Sequence, residues 1–233
     1  MTQIAIDGPA SSGKSSVGAR VASTLSLGFL DTGLLYRAVT RAALGAGFSC
    51  AALERKGGLN ATEHGRLIQL ARLADVDLQH GDAVVTIDGT HFAIGELEGE
   101  EVERAVAAVA ALPEVREALR SVQRVIAMRG RVVLAGRDIG TVVYPEARHK
   151  FFLDASVETR ALRRAVQRGF AQDSEDHREI VRRLSARDLE DRTRAVAPLR
   201  AAADAAIILT DALSLEQVVH RIVESVRSSS NVA

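Results

Sequence analysis

Short apolar runs recur along the chain, with longer amphipathic stretches between them. QIAID (3–7), GFLD at the head of GFLDTG (28–33), RVVLAG (131–136), HKFFLD (149–154) and AAIIL (205–209) are such runs. Bounded by turn residues and too short for helices, they predict strands, QIAID a buried one. From Lys14 to Leu25, apolar Val17, Val21, Ala22 and Leu25 recur at helical spacing. LLYRAVTRAALGAG (34–47) predicts a helix closed by glycine, and residues 61–74 follow the same pattern. Residues 100–129 predict two helices broken at Pro113. Two arginine-rich helices bracket GFAQDSEDH (169–177), and a last helix starts at Ser214 before a Ser-rich tail expected to fray after Arg227.

Strands alternating with helices predict a mainly parallel sheet covered on both faces. VDLQHGDAVVTIDGTHFAI (76–94) breaks this rhythm. It alternates apolar and polar residues and carries Gly81-Asp82 and Asp88-Gly89 turn pairs, so it predicts a small antiparallel meander in an inserted subdomain.

Composition narrows the picture. The 233 residues are 47% hydrophobic, enough for a substantial core, yet 3% aromatic with no Trp, so Leu, Val, Ile and Ala must build it. Formal net charge is zero, which gives no field for nucleic acid or an anionic membrane. Cys50 is alone, so a disulfide framework is excluded, and the six histidines show no metal-like spacing. No signal peptide and no run of about twenty apolar residues is found, so a cytoplasmic location is expected. No dimer face stands out, and a monomer is expected.

The chemistry starts at GPASSGKSS (8–16), where Gly8, Gly13, Lys14 and Ser15 fit G-x-x-x-x-G-K-[ST] between a predicted strand and a predicted helix. Glycines let backbone N–H groups approach phosphate oxygens, at a helix start that itself favours anions. Lys14 suits the β- and γ-phosphates of a nucleoside triphosphate, and the Ser15 hydroxyl suits Mg²⁺. The fold class expected is α/β: a parallel sheet of the P-loop NTPase type flanked by helices, with the inserted subdomain and a helical lid.

Three later clusters bear on where the phosphate goes. In DTGLLYR, Asp31 and Thr32 end a strand and Arg37 lies one turn into the next helix, although Thr32 also suits a helix N-cap and Arg37 a surface position. In AGRDIG, Arg137 and Asp138 follow an apolar strand, as a site pair or a structural ion pair. Arg163 and Arg164 lie on one polar helix; Arg187, Asp191 and Arg194 share a face on the next. Such charges are often solvated surface pairs worth about half a kcal/mol, but guanidinium groups also neutralise converging phosphates. A polar hairpin of this kind suits a lid that closes to exclude water.

GPASSGKSS, DTGLLYR, PEVREAL, GRDIGTVVYP and RDLEDRTRAVAPL, in this order over almost the whole length, resemble the bacterial cytidylate kinases. The resemblance implies one domain over 1–233: a core (about 1–40, 126–156 and 195–233), a nucleoside-monophosphate-binding insert (about 41–125) and a lid (about 157–194). It implies that Gly8, Pro9, Ala10, Ser11, Ser12, Gly13, Lys14, Ser15 and Ser16 bind ATP. Thr32, Arg37, Arg116, Arg137, Asp138, Arg187, Asp191 and Arg194 would hold CMP, with Arg116 and Asp138 toward the base and Asp191 toward the sugar. Arg163 and Arg164 would join Lys14 in catalysis as lid arginines. One position departs: Ala107 stands where the family carries a serine near the base, and alanine donates no hydrogen bond.

The reaction implied is phosphoryl transfer from ATP, with Mg²⁺, to CMP or dCMP in pyrimidine metabolism. An alternative is a kinase for AMP or a shikimate-like alcohol, for which Asp31 or Asp138 would serve as base. Another is a P-loop switch protein, against which no lysine is followed two places later by Asp, as guanine readout requires.

Overall fold

A computed structural model describes residues 2–55, 57–79 and 82–230. In chain order the elements are β1 (Gln3–Asp7), α1 (Lys14–Leu25), β2 (Gly28–Asp31), α2 (Gly33–Gly45), α3 (Cys50–Glu54), α4 (Ala61–Arg72), β3 (Ala74–Gln79), β4 (Asp82–Ile87), β5 (Thr90–His91), α5 (Ile94–Leu97), α6 (Glu100–Ala111), α7 (Pro113–Met128), β6 (Val132–Gly136), β7 (His149–Asp154), α8 (Val157–Gln167), α9 (Glu175–Thr193), β8 (Ala206–Leu209) and α10 (Leu215–Ser230). A single π-helical turn, Ile139–Val143, follows β6. The chain forms two compact units, Met1–Phe29 with Arg131–Ala233, and Leu30–Gly130.

The first unit is built on a sheet of order β2-β6-β1-β7-β8. β1 pairs in parallel with β6 and with β7, and Asp7 lies opposite Gly136 on one side and Phe152 on the other. Parallel register brings the carboxyl ends of these strands to one edge, where ligands gather in sheets of this kind. Ile4, Ile6, Val133, Phe151 and Leu153 are buried in one cluster with Val17 and Val21 of α1 and Val218, Ile222 and Val226 of α10. Each such side chain contributes about 1.5–3 kcal/mol on burial, so this layer anchors the loops at the sheet edge. α8 and α9 pack as a hairpin on a narrow stripe of Ala161, Ala165, Ile180 and Leu184 that also takes in Ala10 of the glycine-rich loop.

In the second unit, α2 packs on α4, α5, α6 and β4, burying Leu35, Ala38, Val39 and Ala43. An Asn60–Glu63 capping box starts α4, and Pro113 at the first turn starts α7, as its fixed φ favours. The antiparallel order is β3-β4-β5, with Ala74 opposite Ile87; the Asp88-Gly89 turn is present, while Gly81 lies outside the described residues. Pairing with Ile87 makes Ala74 the first strand residue, so α4 stops at Arg72 rather than reaching 74. α10 runs on through the serines to Ser230, with the Ser229 hydroxyl donating to the Ser225 carbonyl at 2.9 Å, instead of fraying after Arg227.

Candidate active site

Between β1 and α1 the chain wraps into a loop whose shape follows from its small residues. Gly8 lies against β7: a Cβ there would meet the Leu153 carbonyl oxygen at 2.2 Å, so no side chain fits. Ser11 (φ 59°) and Gly13 (φ 90°) adopt left-handed backbone within an otherwise ordinary turn. Alternation of this kind points successive N–H groups inward as an anion nest. Gly13 offers no capping side chain and the first turn of α1 holds no acidic residue, so the helix start is left to an external anion.

The polar atoms of the loop fit phosphate. The Ser12 hydroxyl is buried with no hydrogen-bond partner, a group suited to a ligand oxygen. Lys14 is 7% exposed and its Nζ donates to the Pro9 carbonyl at 3.0 Å, so its ammonium is folded over the loop. Ser15 and Ser16 are exposed at the start of α1.

The end of β6 carries the second group of the first unit. Arg137 Nε donates to Asp191 Oδ2 at 2.9 Å, and Arg194 Nη1 donates to Asp191 Oδ1 at 3.2 Å. Arg194 Nη2 lies 3.6 Å from Asp138 Oδ1, while its Nε donates to the Ala197 carbonyl at 2.5 Å. Burial pushes the Asp191 carboxyl up, but Arg137, Arg187 and Arg194 outweigh it and hold it below the usual carboxylate range. Five expected residues, Arg137, Asp138, Arg187, Asp191 and Arg194, therefore form one charged cluster.

The hairpin arginines are engaged. Arg163 donates to the Thr210 hydroxyl at 3.0 Å and to the Thr210 carbonyl at 2.5 Å; Arg164 reaches Gln167 at 3.5 Å. In the second unit, Thr32 stands at the N-cap position of α2 without a side-chain cap bond, and the Asp31 carboxylate accepts from Gly33 N at 2.9 Å instead. Arg37 donates to the Leu97 carbonyl at 3.0 Å and to Glu103 at 2.7 Å. Arg116 donates to the Ala110 carbonyl at 3.3 Å and lies 5.6 Å from the Tyr36 ring centre, so α2 carries both Arg37 and the ring beneath Arg116.

Sequence reasoning missed two residues at the sheet edge. Asp7, the last residue of β1, is buried and accepts from Ile139 N and Gly140 N, both at 2.8 Å. A carboxylate closing an otherwise apolar strand beside the loop was the available signal. Arg160, 3% exposed, donates to the carbonyls of Ala155 (2.9 Å) and Ala10 (3.1 Å) and pairs with Asp188 at 2.5 Å. Nothing in the sequence separates it from its surface neighbours. Among the described residues no cluster of His, Cys, Asp or Glu forms a ready metal site, and no helix is long and apolar enough to cross a membrane.

A parallel sheet with a phosphate-shaped loop at its carboxyl edge, a charged cluster beside it, a helical hairpin and an inserted subdomain define a P-loop kinase of the nucleoside monophosphate kinase type. The cytidylate kinase family model matches residues 4–228. A cytidylate kinase of Mycobacterium avium is 42% identical over 231 residues, covering 99% of this chain and 97% of that one. One of Geobacillus kaustophilus is 44% identical over 229 residues, covering 96% and 95%. A crystal structure of shikimate kinase from Bacteroides thetaiotaomicron superposes with TM-score 0.50 at 15% identity, covering 97% of this chain and 98% of that one, a likeness that bears on the fold alone. The chain belongs to the cytidylate kinase family, and it is a phosphotransferase.

Proposed function

We propose that the chain moves the γ-phosphoryl group of ATP to the phosphate of CMP or dCMP, giving ADP and CDP or dCDP. The observation that carries this reading is the placement at one sheet edge of a phosphate-shaped loop and the Arg137–Asp138–Asp191–Arg194 cluster. The loop from Gly8 to Ser16 takes the ATP phosphates, with the Ser12 hydroxyl and the N–H groups at the start of α1 as donors. Lys14 exchanges the Pro9 carbonyl for the β- and γ-oxygens. The Ser15 hydroxyl would hold Mg²⁺, which would supply charge neutralisation at the phosphates.

The acceptor's phosphate has a second pKa of about 6 and is largely dianionic at neutral pH, so no general base is required. Asp138 is accordingly assigned to recognition of the base rather than to proton transfer, Arg116 likewise to the base, and Asp191 to the sugar hydroxyls. Thr32, Arg37, Arg137, Arg187 and Arg194 hold the nucleotide and its phosphate, Arg37 trading Glu103 for the ligand. Arg163 and Arg164 bring charge to the migrating group, which requires Arg163 to leave Thr210. Holding two repelling anions in line is the main task, and positioning together with charge neutralisation lowers the barrier.

The test is ATP- and Mg²⁺-dependent ADP release over CMP, dCMP, UMP, AMP, GMP and shikimate. Turnover confined to CMP and dCMP is expected. Comparable turnover of UMP would assign weaker base selection to Ala107, and silence with every acceptor from folded, ATP-binding protein would overturn the reading.

A further inference from the structure

The carboxylate of Asp7 has no part in the reaction just described, yet it is one of the most buried charged groups of the first unit. Its backbone is joined to Gly8, the first residue of the ATP loop. Its two oxygens accept from Ile139 N and Gly140 N, each at 2.8 Å, the two residues directly after Asp138. One side chain thus links the start of the loop to the segment that carries Arg137 and Asp138. Those two residues in turn engage Asp191 and Arg194 at the end of α9.

The surroundings are built to keep this link. Asp138 and Lys14 are the charged groups acting on Asp7 from the β6 end and from α1, one repelling and one attracting it. From β7 comes the stem of Lys150, whose ammonium is held by Asp204 at 2.7 Å. Gly140 lies beside both: an added Cβ would be 3.1 Å from Cδ of the flexible Lys150 stem and in ordinary contact, 3.4 Å, with Asp7 Oδ2. A carboxylate with both oxygens matched to adjacent backbone N–H groups fixes position in two directions, which a single hydrogen bond does not.

We propose that Asp7 is a positioning residue that sets the register of the Arg137–Asp138 pair against the ATP loop, and hence the alignment of acceptor and donor phosphates. This rests on the assignment of the loop to ATP and of Arg137 and Asp138 to the acceptor nucleotide. Each half-site keeps its own ligand contacts when Asp7 is changed; what shifts is their mutual placement. The effect belongs in kcat rather than in either affinity.

The experiment is Asp7→Asn, which keeps shape but turns an NH₂ group toward one of the two backbone donors. Turnover is followed with whichever acceptor the wild type phosphorylates, and ATP and acceptor affinities are measured one at a time. A wrong acceptor would therefore show in the wild type and sink the functional reading, leaving the mutant ratio readable. The expected result is a kcat loss of about 10- to 100-fold, with each separate Kd within about threefold of wild type. Wild-type kcat in the folded variant would overturn the proposal, as would a loss of ATP affinity that matches the loss of kcat. Should Asp7→Asn fail to fold, Asp7→Glu keeps a carboxylate but lengthens the same link by one methylene: a several-fold loss in kcat alone supports the proposal, and unchanged kcat overturns it.

Discussion

Burial raises the Asp7 carboxyl from 3.8 to about 7; the Gly140 and Ile139 N–H groups oppose this, Asp138 adds to it and Lys14 subtracts. The consequence for stability has a definite sign. Below about pH 4 the group is neutral in both folded and unfolded chains. Between about 4 and 7 the unfolded chain releases the proton while the fold retains it, so stability falls as pH rises. Above 7 both forms are ionised and the loss is complete, on the order of 4 kcal/mol. Asp7→Asn lacks this slope, though it carries a constant penalty from its misdirected amide. Urea unfolding of wild type and variant at pH 5 and pH 8 should show the difference moving toward the variant at the higher pH. A difference independent of pH would mean that Asp7 is ionised throughout. Asp191 acts in the opposite sense, since its arginines hold its carboxyl down and their help is lost as pH falls through its depressed value.

At the scale of elements, the α8–α9 hairpin shows how differently two sets of ion pairs can count. Arg182 pairs with Glu175 and Glu179 on the open face of α9, where solvent screens such contacts and they add little to stability. The Arg160–Asp188 pair joins α8 to α9 at 4% and 14% side-chain exposure, and Arg160 also holds the Ala10 carbonyl of the loop. Arg160→Ala leaves a half-buried carboxylate and two carbonyls without their donor. It should cost about 3–5 kcal/mol in unfolding free energy, whereas Arg182→Ala, on the solvated face, should change it little. Equal losses would show that the hairpin is not fixed through Arg160. The contrast also marks the limit of sequence reading. The strands, the loop and the longer helices were legible because each declares itself by local period or local turn chemistry. α3 and α5, of five and four residues, are too short to show a period. The π-turn after Asp138 depends on Asp7, 132 and 133 positions away, which no local pattern reports. The Arg137–Asp191 contact, by contrast, joins two motifs that were each legible as chemistry but not as partners.

At the scale of the whole molecule, the expected functions fall on different compact units. Lys14 and the loop lie in the first unit, with Arg137, Asp138, Asp191 and Arg194; Thr32, Arg37 and Arg116 lie in the second. The ATP loop thus lies in one unit, while the residues expected to hold CMP are drawn from both. Lys14 Nζ donates to the Pro9 carbonyl of its own loop, and the proposed role places it on the ATP phosphates, so Lys14→Ala should leave the fold and CMP affinity unchanged while cutting kcat by orders of magnitude. Arg37 is held by Leu97 and Glu103, both within its own unit, so its loss should not disturb the ATP loop. A charge-assisted hydrogen bond is worth about 1.5–3 kcal/mol, so Arg37→Ala should weaken CMP binding by roughly 10- to 100-fold with ATP binding intact. Calorimetry with each nucleotide alone, on both variants, reads all four quantities. A fall in ATP affinity on Arg37→Ala, or in CMP affinity on Lys14→Ala, would mean that the sites are coupled before either nucleotide is bound, and that the separation into two units does not carry over to binding.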